Sequence, residues 1–313
     1  MPLAPLLLLP VLVAACYLPA LGLFWPRRDV PGPAEALMLT LVGLCVLSLL
    51  LILTKIVGAP TWTFALPALV AGLVTLWRRG RLCLPRPPVW PPDRSVLLGL
   101  GLGVLYFVHV LIPGLRMGLG AYPAMFFNVD AGYYLSKVHS LLENPVYPPP
   151  SLSFLGVATD YHFGAHAAAA AMSLLTGATA HAGLFLIVMP LLTLGIVAAA
   201  WAVLRQAGAK GTTLWLGLLL TLFCLHASHL SLLDLAGQML SGNFRALPRE
   251  VLALFDHAQE YRNDYPMFSS HFGVFLTLVL MFSLQRMDAP GRGRLAACCV
   301  GLLVFFKSPY FLP

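Results

Sequence analysis

Charge is what this chain has least of: 10% of its 313 residues are charged, 59% are hydrophobic, and the mean hydropathy is +0.84. A soluble domain of this length cannot carry so much apolar surface and so little charge. No HExxH, GxSxG or GxxxxGK[ST] sequence occurs, which removes the common metalloprotease, serine-hydrolase and P-loop nucleotide chemistries. Cysteine is sparse as well. Cys16, Cys45, Cys83, Cys224, Cys298 and Cys299 form no CxxC pair, and most sit in apolar runs as small core residues, not as a disulfide framework or zinc ribbon. No internal repeat is evident, and Pro145 with Pro148, Pro149 and Pro150 makes a short extended linker, not a low-complexity domain.

What is present is a series of long apolar runs, near 3–25, 33–57, 60–77, 95–113, 181–204, 212–232, 268–285 and 295–312. Each approaches the ~20 residues that cross a bilayer. Lipid offers no partner to backbone amides, so such runs are helices, and the expected fold is all-α: a polytopic bundle of about eight to nine spans with juxtamembrane helices in its outer loops. The first run lacks a positively charged segment ahead of it and is long enough to span, so it reads as a retained helix. The expected organisation is transmembrane helices over 1–113, an outer catalytic loop over 114–162, further spans over 163–232, a second polar loop over 233–267, and spans over 268–313. The closing run, VGLLVFFKSPYFLP, stops without a polar tail and holds Lys307, which reads as a fragment of a longer bundle.

Sidedness follows from the basic residues. The formal net charge of +7 lies in short loops between helices and on no single face, so topology explains it better than nucleic acid, and no nucleic-acid partner is expected. Arg78, Arg79, Arg81, Arg86 and Arg94 cluster in one loop, which the positive-inside rule assigns to the cytoplasm and which puts 114–162 outside an inner (plasma) membrane. The run HFGAHAAAAAMSLLTG, 163–177, leaves two versions open. As a full span it carries Arg286, Arg292 and Arg294 outside; as a half-crossing or surface helix it returns them to the cytoplasm and places 233–267 outside, near Asp130. The second version is the more economical, although an alanine run can span when packed in a bundle.

The stretch from Phe126 to His166 is where chemistry concentrates. Asp130 comes just before a helix predicted from the spacing of Tyr134, Leu135, Val138, Leu141 and Leu142. A carboxylate there either caps free amides or, partly desolvated at the lipid boundary, serves as general base or ligand to a divalent metal. Lys137 follows on the same side of that helix and either meets a phosphate or snorkels to headgroups from the surface. Tyr133, Tyr134 and Tyr147 stack on sugar rings or belong to an interfacial aromatic belt. Asp160, Tyr161, His162 and His166 come next; the two histidines are four apart, which fits a weak metal pattern, substrate contacts, or ordinary interfacial hydrogen bonding.

The aspartate in the first large outer loop, the amphipathic helix after it, the proline-rich turn and the run from Tyr161 to Lys210 together resemble the amino-terminal half of GT-C-type glycosyltransferases. The turn between the two helices is Leu175-Thr176-Gly177-Ala178-Thr179. The resemblance covers about 80 residues well. It implies transfer of a sugar, with inversion, from a polyprenyl-phosphate carrier in the membrane lipid, with Asp130 as base or metal ligand. Many members carry a paired acidic motif; here Asn128 stands in place of its first acid, which weakens the metal role and leaves the base role intact.

The later polar stretch holds Arg245, Arg249, Asp256, His257, Glu260, Arg262 and Asp264, which read as a solvated amphipathic helix or, through Arg262 and His271, as a grip on the carrier phosphate. His226 and His229 share a face near a helix end and read as packing hydrogen bonds or a proton path. The competing reading of the whole chain is a multi-pass transporter or flippase, which calls for a polar pocket at mid-membrane.

Overall fold

The computed structural model describes residues 4–26, 29–79, 101–104, 129–149, 163–223 and 268–306, with the side chains of 4–6, 129–133, 222–223 and 268–270 left aside. Among the described residues the chain is all-helical. Helix α1 is continuous over 4–24, as Ala4–Val11, a π-helical stretch Leu12–Tyr17, and Leu18–Phe24. Then come α2 (Pro33–Ile56), a 3-10 turn (Thr61–Ala65) leading into α3 (Leu66–Arg79), α4 (Val129–Glu143) and α5 (Gly164–Thr176). Helix α6 is continuous over Ala182–Gln206, its first part, Ala182–Val188, again π-helical; α7 (Gly211–Phe223), α8 (Phe268–Leu284) and α9 (Arg292–Phe306) complete the set.

Proline accounts for both π-helical stretches. Pro19 and Pro190 each follow one closely and lack the N–H that a regular helix would bond to the carbonyl four residues back; the wider register absorbs that mismatch. Three helices, Leu7–Phe24, Pro33–Ile56 and Ala182–Gln206, are long and apolar enough to cross a membrane, and Gly211–Thr221 and His271–Leu284 are shorter apolar helices. These long apolar helices mark a membrane protein.

Small residues let the helices touch at backbone distance, as packing without a water-driven hydrophobic force requires. A Cβ on Gly43 of α2 would strike the carbonyl group of Cys16 in α1, and one on Gly72 of α3 would come within 2.7 Å of the Ala14 carbonyl oxygen. Helix α2 is central: it packs on α1, α5, α6, α9 and the 3-10 turn. Ala165 and Ala167 to Ala171 of α5 are all wholly buried, so the alanine run serves as a close-packing surface toward α2, α4 and α6.

One end of the bundle gathers the basic residues. Arg79 Nη2 donates to the carbonyls of Trp25 and Pro26 at 3.1 and 3.0 Å, Arg292 lies over the Trp25 ring, and Gln206 Nε2 donates to Phe282 O at 2.7 Å. The ends of α1, α3, α6 and α8 and the start of α9 therefore meet there. Helix α5 does not reach it. With 13 residues it spans about 20 Å, against ~30 Å for a bilayer core. Its first residue packs on Phe306, about 21 Å along α9 from Arg292, while its C-terminal half packs on Gly183 at the far end of α6. Arg286, Arg292 and Arg294 thus sit at the same end of the bundle as Arg78 and Arg79.

Candidate functional site

The site is built where α4 lies against α5. The expected stripe on α4 is present: Tyr134, Val138 and Leu141 are buried, and Leu135 and Leu142 half-buried. Two of its details differ from the sequence reading. The helix starts at Val129, so Asp130 falls within its first turn, not before it. The stripe also carries two polar residues into the interior, Lys137 at 2% exposure and Ser140 at 1%, so Lys137 is no surface lysine. The charged side of α4 lies elsewhere, where the exposed His139 and Glu143 approach to 3.4 Å.

Lys137 lies against the edge of an aromatic cluster. Its Nζ stands 5.8 Å from the centroid of Phe163, a cation–π arrangement. His166, wholly buried one turn into α5, stacks on Tyr134 with centroids 5.0 Å apart and planes at 22°, and Phe163 meets it edge-on at 6.2 Å. Tyr147 meets Phe163 edge-on at 5.6 Å. Burial pulls the Lys137 ammonium below the usual lysine range, because the charged form loses solvation.

A second buried cation, Lys55 of α2, was missed by sequence reasoning. It is 2% exposed, and its ammonium donates to the Asn144 carbonyl just past the end of α4. Asn144 Nδ2 in turn donates to Ser140 O at 2.9 Å, and the buried Ser140 hydroxyl has no hydrogen-bond partner. The available signal was a lysine at the penultimate position of a 24-residue apolar helix, with no acid beside it. Lys137, Ser140 and Asn144 thus form a polar line along one face of α4, with Lys55 closing it.

The starts of α5 and α8 and the end of α9 converge nearby. Phe306 packs on Gly164, where a Cβ would meet its ring at 2.8 Å, and on Phe272 at 4.5 Å. His271, half-buried, adjoins Phe272 in sequence. Of the residues singled out from sequence, the structure brings Lys137 and His166 to one aromatic cluster and His271 to its neighbourhood. It sets the Asp130 backbone two helical turns before Lys137, about 10 Å along the axis. Asn128, Asp160, Tyr161, His162, Arg262, His226, His229 and Lys307 lie outside the described residues. Among the described residues no three His, Cys, Asp or Glu side chains share a point where a metal ion would sit.

The turn 175–179 joins α5 to α6 by two devices. Gly177, at φ +70°, ends α5 in the left-handed region, and Thr179 Oγ1 accepts from Ala182 N at 3.2 Å, capping α6. No family model, curated protein or solved structure matches the chain.

Proposed function

We propose that this chain is a membrane transferase of the GT-C type, moving a sugar from a polyprenyl-phosphate carrier to an acceptor at the outer face of a bacterial inner membrane, within a bundle of about eight to nine spans. The observation that supports this reading is the buried Lys137, beside the Phe163 ring and two turns along α4 from Asp130, which pairs a cation for a lipid phosphate with a carboxylate for a hydroxyl. A lipid-phosphate donor keeps its tail in the bilayer, so a cation facing it belongs among helices, not in a solvated loop.

In this reading Asp130 takes the proton of the acceptor hydroxyl while the oxygen attacks the anomeric carbon from the face opposite the carrier. The bond from that carbon to the phosphate oxygen breaks, its electron pair leaves on the phosphate, and Lys137 stabilises the added charge. Inversion follows from the single displacement. His166 and His271, with Asn128, Asp160, Tyr161, His162 and Arg262 from the flanking segments, bind the sugar and phosphate. The basic end of the bundle faces the cytoplasm by the charge rule, and the segments 114–162 and 233–267 face outward.

The test is Asp130→Asn in membranes supplied with a lipid-linked sugar donor. Loss of a general base lowers turnover by about 100-fold or more; full activity in that variant sinks the assignment. A transporter or flippase is the second reading, favoured by the depth at which Lys55, Lys137 and His166 lie. Proteoliposome flux that depends on Lys137, without any sugar transfer, would establish it instead.

A further inference from the structure

The basic end of the bundle holds a second arrangement, remote from the α4–α5 contact. Arg292 opens α9 and is 8% exposed, its guanidinium carbon 3.7 Å from the Phe282 ring centroid and 4.8 Å from that of Trp25. Gly291, at φ +89°, brings it there: a Cβ at that position would collide with the Phe24 carbonyl. The carbonyls of Leu21, Trp25 and Pro26 accept from Arg79 Nη2 at 3.4, 3.1 and 3.0 Å. Glu35 lies close enough to favour the cation, yet forms no ion pair with it.

Two donors are left over. Arg292 Nη1 and Trp25 Nε1 are both shielded from solvent and neither has an acceptor. Leaving a buried N–H unmatched costs as much as losing a hydrogen bond, and two such groups on side chains in contact call for one shared acceptor. The surroundings carry a basic excess: Arg78, Arg286 and Arg294 are exposed at this end with Arg79 beside them, against Asp29, Glu35 and Asp288.

We propose that Trp25 and Arg292 form a site for a phosphate oxyanion, filled by the headgroup of an anionic lipid. The guanidinium and indole N–H groups donate to one phosphate, and the exposed arginines draw the lipid to the bundle end. Trp25 is half-buried just past the last turn of α1. This site is independent of the transfer reaction.

The test uses the full chain in phosphatidylcholine nanodiscs, labelled with 5-fluorotryptophan, with the Trp25 resonance assigned by Trp25→Phe. Phosphatidylglycerol is added to the bilayer in one arm and inorganic phosphate to the buffer in the other. A saturable shift of the Trp25 signal with phosphatidylglycerol alone identifies the lipid; a shift with both identifies an oxyanion site also open to soluble phosphate. Arg292→Gln raises the midpoint about tenfold, as expected for loss of a charge-assisted hydrogen bond. Arg292→Lys, which keeps the charge and loses the fork, raises it less and carries the test where the glutamine variant does not fold. No shift in either arm, or a midpoint unchanged in Arg292→Lys, overturns the proposal.

Discussion

The Lys55 ammonium donates a hydrogen bond to the Asn144 carbonyl oxygen, tying the last turn of α2 to the residue that closes α4. An ammonium buried at 2% exposure with one neutral acceptor beside it is a costly way to join two helices, since the charge gives up its hydration. A methionine of similar volume would fill the space without that cost. Lys55→Met is therefore expected to melt at or above the wild-type temperature; on the proposed transferase reading, where Lys55 closes the polar line that begins at Lys137, sugar transfer falls at least tenfold. A variant that loses stability and activity together would make Lys55 a structural tie alone; thermal melting in detergent and transfer assays in membranes separate the two.

Lys137 predicts a pH dependence of opposite sign for stability and binding. Its folded pKa lies below the ordinary 10.5, because burial disfavours the charged form. Between the folded and unfolded values the unfolded chain binds more protons, so stability rises with pH through that interval. Affinity for a lipid phosphate falls over the same interval as the ammonium loses its proton. Lys137→Arg, which stays charged, should hold affinity level, and Lys137→Met should remove the stability trend. Binding of a polyprenyl phosphate measured across alkaline pH in the three proteins decides it; parallel curves in wild type and Lys137→Arg would show that Lys137 does not meet the anion.

Arg79 and Arg292 both converge on Trp25, which gathers the ends of α1, α3 and α9 at one end of the bundle; the proposed sidedness puts that end in the cytoplasm. Single cysteines at Arg78 and Asp288, both exposed, are expected to react with an impermeant maleimide from the same side of sealed vesicles, and a cysteine at the exposed Glu143 from the other. Labelling of positions 78 and 288 from opposite sides would overturn the proposed sidedness.

The long helices were legible in the sequence because their apolar runs end at residues that cannot continue them. Pro33–Ile56 was expected at 33–57, Ala182–Gln206 at 181–204, and Phe268–Leu284 at 268–285. The stripe on α4 was legible too, since Tyr134, Val138 and Leu141 recur at helical spacing. What packs on that stripe was not. Burial of Lys137 is decided by α5 and the Phe163 ring, more than twenty residues on, and the partner of Lys55 is Asn144, 89 residues away. Periodicity marks which face of a helix turns inward; it does not say how deep the helix lies or which cation it meets there.

Gly43 and Gly301 make a paired test of how close the helices come. A Cβ on Gly43 would overlap the backbone carbonyl of Cys16, within the π-helical stretch of α1, and backbone cannot turn away as a side chain does. Gly43→Ala therefore has to push α1 from α2, at a cost of about 1–3 kcal/mol or more for overpacking. A Cβ on Gly301, in the middle of α9, would meet nothing within 4 Å. There alanine only removes backbone freedom from the unfolded chain, so Gly301→Ala should gain about 0.5–1 kcal/mol. Melting temperatures of the two variants should move in opposite directions from wild type. If Gly43→Ala melts with the wild type, α1 and α2 do not cross at Cys16, and the packing on which the central position of α2 rests fails with it.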